Sequence, residues 1–270
     1  MFIHLHNHFK GSFYDSIIDD TEAFKKLKND NSPAIAITDH GQMNYVVKFA
    51  KNAKNAGIKP IIGLEFYFVR DARETIEKKD NFRNHLVLLV KNEEGFRNLI
   101  KLNNLSWINN YFQRTPASTL RGLLDWNLIR EYHSGLICLT GCFFGSLPYA
   151  VLNGNKNEII EEYQKYKEIF GDDLYLEMGW HNIPEEKISN EGLIKLSKIY
   201  NQKCVITQDS HYLNKEDWEV QDVLINTRFG YSSSFHFKSR EYYLKTEEEM
   251  KKLGFPEEFM EITNEINEKV

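Results

Sequence analysis

Residues 1–16 read MFIHLHNHFKGSFYDS, with His4, His6 and His8 at alternate positions and Asp15 a short way on. A β-strand accounts for the alternation, because residues two apart point to the same face. It does not account for imidazoles where a core strand would carry Val or Ile.

The rest of the chain supplies the context. Short β-rich runs fall at residues 2–6, 34–38, 61–69, 85–90, 135–140, 174–178 and 203–207. Between and after them come helical patterns at 21–29, 42–56, 93–105, 119–131, 157–170, 188–200 and 215–226. Strands joined by helical crossovers imply a parallel sheet. Closure into a (β/α) barrel is favoured over an open doubly wound sheet, since no glycine-rich dinucleotide fingerprint follows the first strand. In such barrels the reactive residues lie at the C-terminal strand ends.

That rule sorts the polar residues. The first strand runs into His6 and His8, and the second ends in Thr38-Asp39-His40-Gly41. Glu65 stands inside the apolar run IIGLEFY, Cys142 follows the fifth strand, and the seventh ends in Gln208-Asp209-Ser210-His211. Several strands thus deliver His, Cys, Asp or Glu to one rim, the mark of a metal site. His85 opens its strand, HLVLLV, and so falls at the wrong end for that rim. On strand polarity alone it is left out.

Each residue also has a plainer role available. His4, His133 and His236 read as hydrogen-bonded structural histidines, and Cys138 as a small buried hydrophobe. Asp39 could cap a helix, and Cys142 could be core. A lone buried Glu65 would cost several kcal/mol unless paired or metal-bound. The plain roles are credible singly, but not all together on one rim.

Imidazoles with one thiolate suit zinc, iron or manganese rather than magnesium or calcium. Carboxylates such as Asp15, Glu65 and Asp209 can bridge cations. Eight or nine ligands exceed one tetrahedral centre, so two or three divalent metal ions (Zn, Mn or Fe) are expected. Clusters of that kind clamp a phosphate and generate hydroxide at neutral pH, which points to phosphate-ester hydrolysis.

Composition is permissive. The chain has 270 residues, 41% hydrophobic and 27% charged, with a formal charge of −5. Its longest apolar runs are too short to cross a bilayer, so no membrane partner is expected. The opening stretch is interrupted by histidines and a lysine and does not read as a signal peptide. Three cysteines make no disulfide framework and fit a reducing, cytoplasmic setting.

Three motifs, His6-Asn7-His8, Thr38-Asp39-His40 and Asp209-Ser210-His211, occur in this order. With them the chain resembles the PHP (polymerase and histidinol phosphatase) family of metal-dependent phosphoesterases. Within the family it resembles the N-terminal PHP domain of bacterial replicative DNA polymerase III alpha subunits. Supporting stretches are HLVLLVKNEEGFRNL, GLICLTGC, EIFGDDLYLEM and REYYLKTEEEM, and the likeness runs from Phe2 to about Met250. It implies a distorted (β/α)7 barrel, an α/β fold filling residues 1–270 as one domain. Residues from about 228 onward would form an extension toward a polymerase region.

The resemblance further implies a trinuclear site built from His6, His8, Asp15, His40, Glu65, His85, Cys142, Asp209 and His211. It thereby restores His85. Asp39 would orient a ligand from behind, and His181, in Gly179-Trp180-His181-Asn182, could reach the rim. One departure is Tyr111-Phe112-Gln113-Arg114-Thr115-Pro116, where the family reads YYKPR.

The implied activity is a 3′→5′ exonuclease that proofreads during DNA replication. Its partners would be DNA (a single strand or primer 3′ end), with a polymerase core or other replisome subunits. Tyr14, Phe66, Tyr67, Tyr212, Arg70 and Lys91 stand near rim motifs and are candidates to touch the strand. Two rival functions are a phosphatase for a small monoester and a non-catalytic module of a polymerase.

Overall fold

The computed structural model describes residues 1–78, 83–112, 120–229 and 236–270. Eight strands carry the architecture: β1 Ala34–Ile37, β2 Lys59–Phe68, β3 Asn84–Val90, β4 Tyr111–Phe112, β5 Arg121–Leu124, β6 Leu136–Leu139, β7 Leu174–Gly179 and β8 Cys204–Thr207. Around the curled sheet the pairing runs β1, β2, β3, β6, β7, β8. The N-terminal segment closes the ring. His4 bridges Ile35 of β1, and Asn7 bridges Ser210 just beyond β8. Seven staves therefore form a distorted (β/α)7 barrel, with the first held by single bridges rather than a continuous ladder. Strands β4 and β5 stand outside the ring, where β5 pairs with the last residues of β2.

Two expectations about secondary structure change. The sheet is not wholly parallel, because β3 runs antiparallel to both neighbours. Because β3 runs against β2 and β6, its start lies at the rim where its neighbours end. This puts His85 opposite Tyr67, and the polarity objection to His85 disappears. The second change is the stretch 119–131, expected as one helix. Its residues 121–124 are β5, and the helix is only Trp126–Tyr132. Asp125 divides them by accepting a hydrogen bond from the Leu128 amide, as an N-cap does.

Period-two alternation builds the interior in two layers. Ile3, Leu5, Ala34, Ala36, Ile61, Val87, Leu89, Ile137, Leu139, Tyr175 and Val205 form one buried cluster, with Ile266 of the last helix packed among them. Further along the same faces come Glu65, His85, Glu177 and Thr207, so a polar layer sits on the apolar plug. A second cluster, including Leu64, Phe66, Leu88, Cys138, Leu176 and Ile206, faces the helices outside. All three cysteines are free and buried. Helix Glu257–Lys269 ties back to the first residues, the Ile3 amide donating to Thr263 Oγ1 at 3.0 Å. Among the described residues no helix is long and apolar enough to cross a membrane.

Gly141, just past β6, adopts φ +84°. A Cβ there would lie 2.5 Å from the His85 carbonyl oxygen. Both the left-handed backbone and the close approach require glycine. Gly141→Ala is expected to lower unfolding stability by about 1–3 kcal/mol, read from urea denaturation.

Candidate metal centre

At the polar end of the barrel the side chains converge in three overlapping groups. Their donor atoms lie within 4.8 Å of one another: His8, Asp15, His40 and His211; His6, His8, Glu65 and Asp209; His40, Glu65 and His85. Glu65 is the hub. Its Oε1 lies 3.4 Å from His6 Nε2 and 2.9 Å from His85 Nδ1, while Oε2 lies 3.2 Å from His8 Nε2 and 2.7 Å from His40 Nδ1. Asp209 Oδ1 approaches His8 Nε2 at 3.0 Å and His6 Nε2 at 3.4 Å. Asp15 Oδ2 is 3.6 Å from His8 Nδ1 and 3.4 Å from His211 Nε2.

Few of these contacts have the direction of a hydrogen bond. His6 Nε2, both His8 nitrogens, His40 Nδ1, both Glu65 oxygens and Asp209 Oδ1 are buried without a hydrogen-bond partner. Buried polar atoms are almost always satisfied, so a cluster of orphans calls for a missing partner. Lone pairs converging from imidazoles and carboxylates are the donor set of divalent transition metals. The residues present fit such ions.

Neighbouring groups set the donors. His6 Nδ1 meets Glu177 Oε1 at 2.6 Å, and Glu177 also accepts from Thr207 Oγ1 at 2.6 Å. With its proton held at Nδ1, His6 turns the Nε2 lone pair inward. His211 does the same, with Nδ1 2.8 Å from the Asp209 carbonyl oxygen. Ser12 donates to Asp15 Oδ2 at 2.7 Å. Asp209 sits at φ 48° and Tyr14, before Asp15, at φ 56°. Left-handed backbone at non-glycine residues costs on the order of 1–3 kcal/mol and collects at functional sites.

The electrostatics are those of an ion cluster. Burial alone would lower His8, but the Asp209 and Glu65 carboxylates raise it to about 10. Burial lowers His40 to about 4, despite Glu65 and Asp15 nearby. Burial pushes Glu65, Asp15 and Asp209 up, yet the surrounding imidazoles hold all three well below the carboxylate range. Burial, with Asp209 and Glu65 adding to it, pushes the Cys142 thiol up.

Not every expected residue joins the groups. Cys142 stays outside them, its Sγ 3.9 Å from His85 Nδ1 at the edge of the cavity. His181 does not reach the rim. Both ring nitrogens are engaged, Nδ1 with Glu186 and Nε2 with the Gln208 carbonyl, and the ring stacks on Tyr242 at 3.7 Å. It braces the chain before Asp209 instead of touching the cluster. Asp39 makes no hydrogen bond to a ligand side chain. Its Oδ1 accepts from the Phe9 amide at 2.6 Å, fixing the backbone just after His8, and burial pushes its carboxyl up to about 7.

Of the strand-contact candidates, Tyr14 and Tyr67 line the cavity over the cluster. Phe66 lies in the core, Arg70 pairs with Glu158, and Lys91 pairs with Asp173 at the far end of the antiparallel β3. Tyr212 is buried beneath Tyr242. His236, expected to be structural, lines the cavity as well. Residues 113–116 of the departing loop lie outside the described residues.

Sequence reasoning missed Glu177. The signal was present, since an acid inside the apolar run LYLEM breaks a strand as Glu65 breaks IIGLEFY.

A model of the PHP domain family matches residues 4–181, and the chain belongs to that family. Among curated proteins it is similar to the DNA polymerase III subunit alpha of Borreliella burgdorferi, 36% identical over 256 residues. That alignment covers 92% of this chain and 22% of the relative. The Aquifex aeolicus subunit is 38% identical over 231 residues, covering 83% of this chain and 19% of its own length. The chain thus spans about a fifth of these relatives. Among solved structures, an amidohydrolase from Chromobacterium violaceum overlaps 83% of this chain and 97% of its own, at 12% identity and a TM-score of 0.49.

Two outcomes follow for metal binding. Glu177→Gln keeps the shape but loses the carboxylate behind His6, and is expected to weaken metal affinity about 10–100-fold in a chelator-competition titration. Because ligands must shed protons to bind, calorimetry of the metal-free chain should show proton release and an affinity that falls from pH 8 to pH 6. Affinity unchanged across that range would contradict the ligand set.

Proposed function

We propose that this chain is a metal-dependent phosphoesterase acting as a 3′→5′ exonuclease on DNA. The observation that carries the reading is the ring of buried donor atoms without hydrogen-bond partners, set beneath an open cavity of about 480 Å³. His6, His8, Asp15, His40, Glu65, His85, Asp209 and His211 would hold two or three divalent cations, with Cys142 at the margin. Bound there, such ions polarise a phosphoryl oxygen and lower the pKa of water toward neutrality.

The chain's own residues do the positioning. Glu65 and Asp209 face several imidazoles each and set the spacing between neighbouring positions. Glu177 holds the proton on His6 Nδ1, and the Asp209 carbonyl holds that on His211 Nδ1. Asp39 and Ser12 fix the loop carrying His8 and Asp15. Glu65, Asp15 and Asp209, held ionised by the imidazoles around them, would neutralise part of the cation charge.

The polymerase relatives support a place in replication, with residues 1–270 as one PHP domain beside a polymerase core and its replisome partners. Proofreading of a primer 3′ end is the role this reading assigns.

The test supplies a 3′-labelled single strand, a mispaired primer and a small phosphomonoester to manganese- or zinc-loaded protein. Release of 3′ nucleotides is expected, with Asp209→Asn and His8→Ala each reducing it about 100-fold or more. Hydrolysis of the monoester alone would replace the exonuclease with a small-molecule phosphatase. No turnover by a metal-loaded, folded chain would leave a structural module.

A further inference from the structure

Around His85 the cavity has a wall whose other residues the chemistry described so far does not use: Arg121 and Tyr67 on one side of it, Phe144 and Phe143 on the other. The Arg121 guanidinium lies 4.2 Å from the centre of the Tyr67 ring. Tyr67 stacks on His40 at 5.3 Å and 12°, so the guanidinium sits one ring away from a proposed ligand. Tyr67 also meets the edge of His85 at 5.6 Å, His85 lies 5.7 Å from Phe144, and Phe144 lies 4.2 Å from Phe143.

Two features set this arc apart. Among the described residues no carboxylate lies within 4.0 Å of the Arg121 guanidinium, whereas Lys238, the other long basic side chain of the cavity, is paired with Glu185. An arginine held on an aromatic face keeps its planar fork available, and that fork matches phosphate. Phe144 is 43% exposed and lies against Phe143 on the cavity wall, so the two rings offer a flat apolar surface to whatever enters. Exposed aromatics beside a cationic groove are how proteins hold single-stranded nucleic acid.

Resting on the phosphoesterase reading above, we propose that this arc binds the end of a single-stranded polynucleotide. Arg121 takes a backbone phosphate next to the one being cleaved, and Phe144 with Phe143 stacks a base. A small monoester offers neither group, so the arc assigns the substrate class as well as the residues. Arg121 was hidden from sequence because its stretch reads as helix. Strand β5 lies beside the end of β2, with Leu123 paired to Tyr67, and this brings Arg121 to the rim.

The test is fluorescence anisotropy with a fluorescein-labelled oligothymidylate made resistant by phosphorothioate linkages, titrated with the manganese-loaded full chain. Arg121→Ala is expected to weaken binding about tenfold and to lower the salt slope by about 0.7, with metal content and thermal midpoint unchanged. Arg121→Lys should recover part of the affinity. Phe144→Ala should weaken binding about tenfold with the slope unchanged, since stacking releases no counterions.

Equal affinity and slope for wild type and Arg121→Ala, both still releasing 3′ nucleotides, overturns the assignment and leaves the exonuclease standing. A wild-type chain that hydrolyses a monoester but neither binds nor cuts the strand overturns both. If Arg121→Ala does not fold, Phe144→Ala decides, and unchanged affinity there overturns the proposal.

Discussion

The structure depends on one constraint: three carboxylates and five imidazoles share the polar end of a barrel, largely buried and with few mutual hydrogen bonds. Burying such groups singly costs several kcal/mol each, and mutual attraction offsets this only when geometry is good and every group has a partner. Here the partners are each other and, in the proposed loaded state, shared cations. The rest of the fold serves that layer. The apolar plug beneath it excludes solvent, the Asn7–Ser210 bridge closes the ring, and the last helix seats Ile266 in the base.

Precision in the layer comes from behind it. Glu177 and the Asp209 carbonyl decide which nitrogen of His6 and His211 faces inward. His181 stands further back, clamped between Glu186 and the Gln208 carbonyl, and so supports the segment that carries Asp209 through its φ of 48°. Supporting residues of this kind restrict motion of the donors while leaving the cavity side open. The open side is also where charge and aromatic surface lie together, which is the combination a polynucleotide end requires.

Family membership, shared with polymerase relatives of which this chain spans about a fifth, supplies a setting but not the chemistry of this chain. The chemistry rests on what the side chains do where they stand. Cys142 illustrates the difference: the family resemblance includes it among the ligands, while the structure leaves its sulfur beside His85 and outside the three close groups.

The sequence by itself determined the residues of the rim. Chemistry-bearing side chains at strand ends, and an acid inside an apolar strand, are legible because period-two alternation and strand length are local properties. Strand direction is not local, since HLVLLV reads alike up or down a barrel. Only the tertiary structure, by running β3 against its neighbours, decided that His85 belongs at the site. The same holds for β5: its residues suit a helix when read alone, and pairing with β2 outside the ring makes them a strand that carries Arg121 to the cavity. Pairing partners lie far apart in the chain, and their contacts override local preference once the sheet forms.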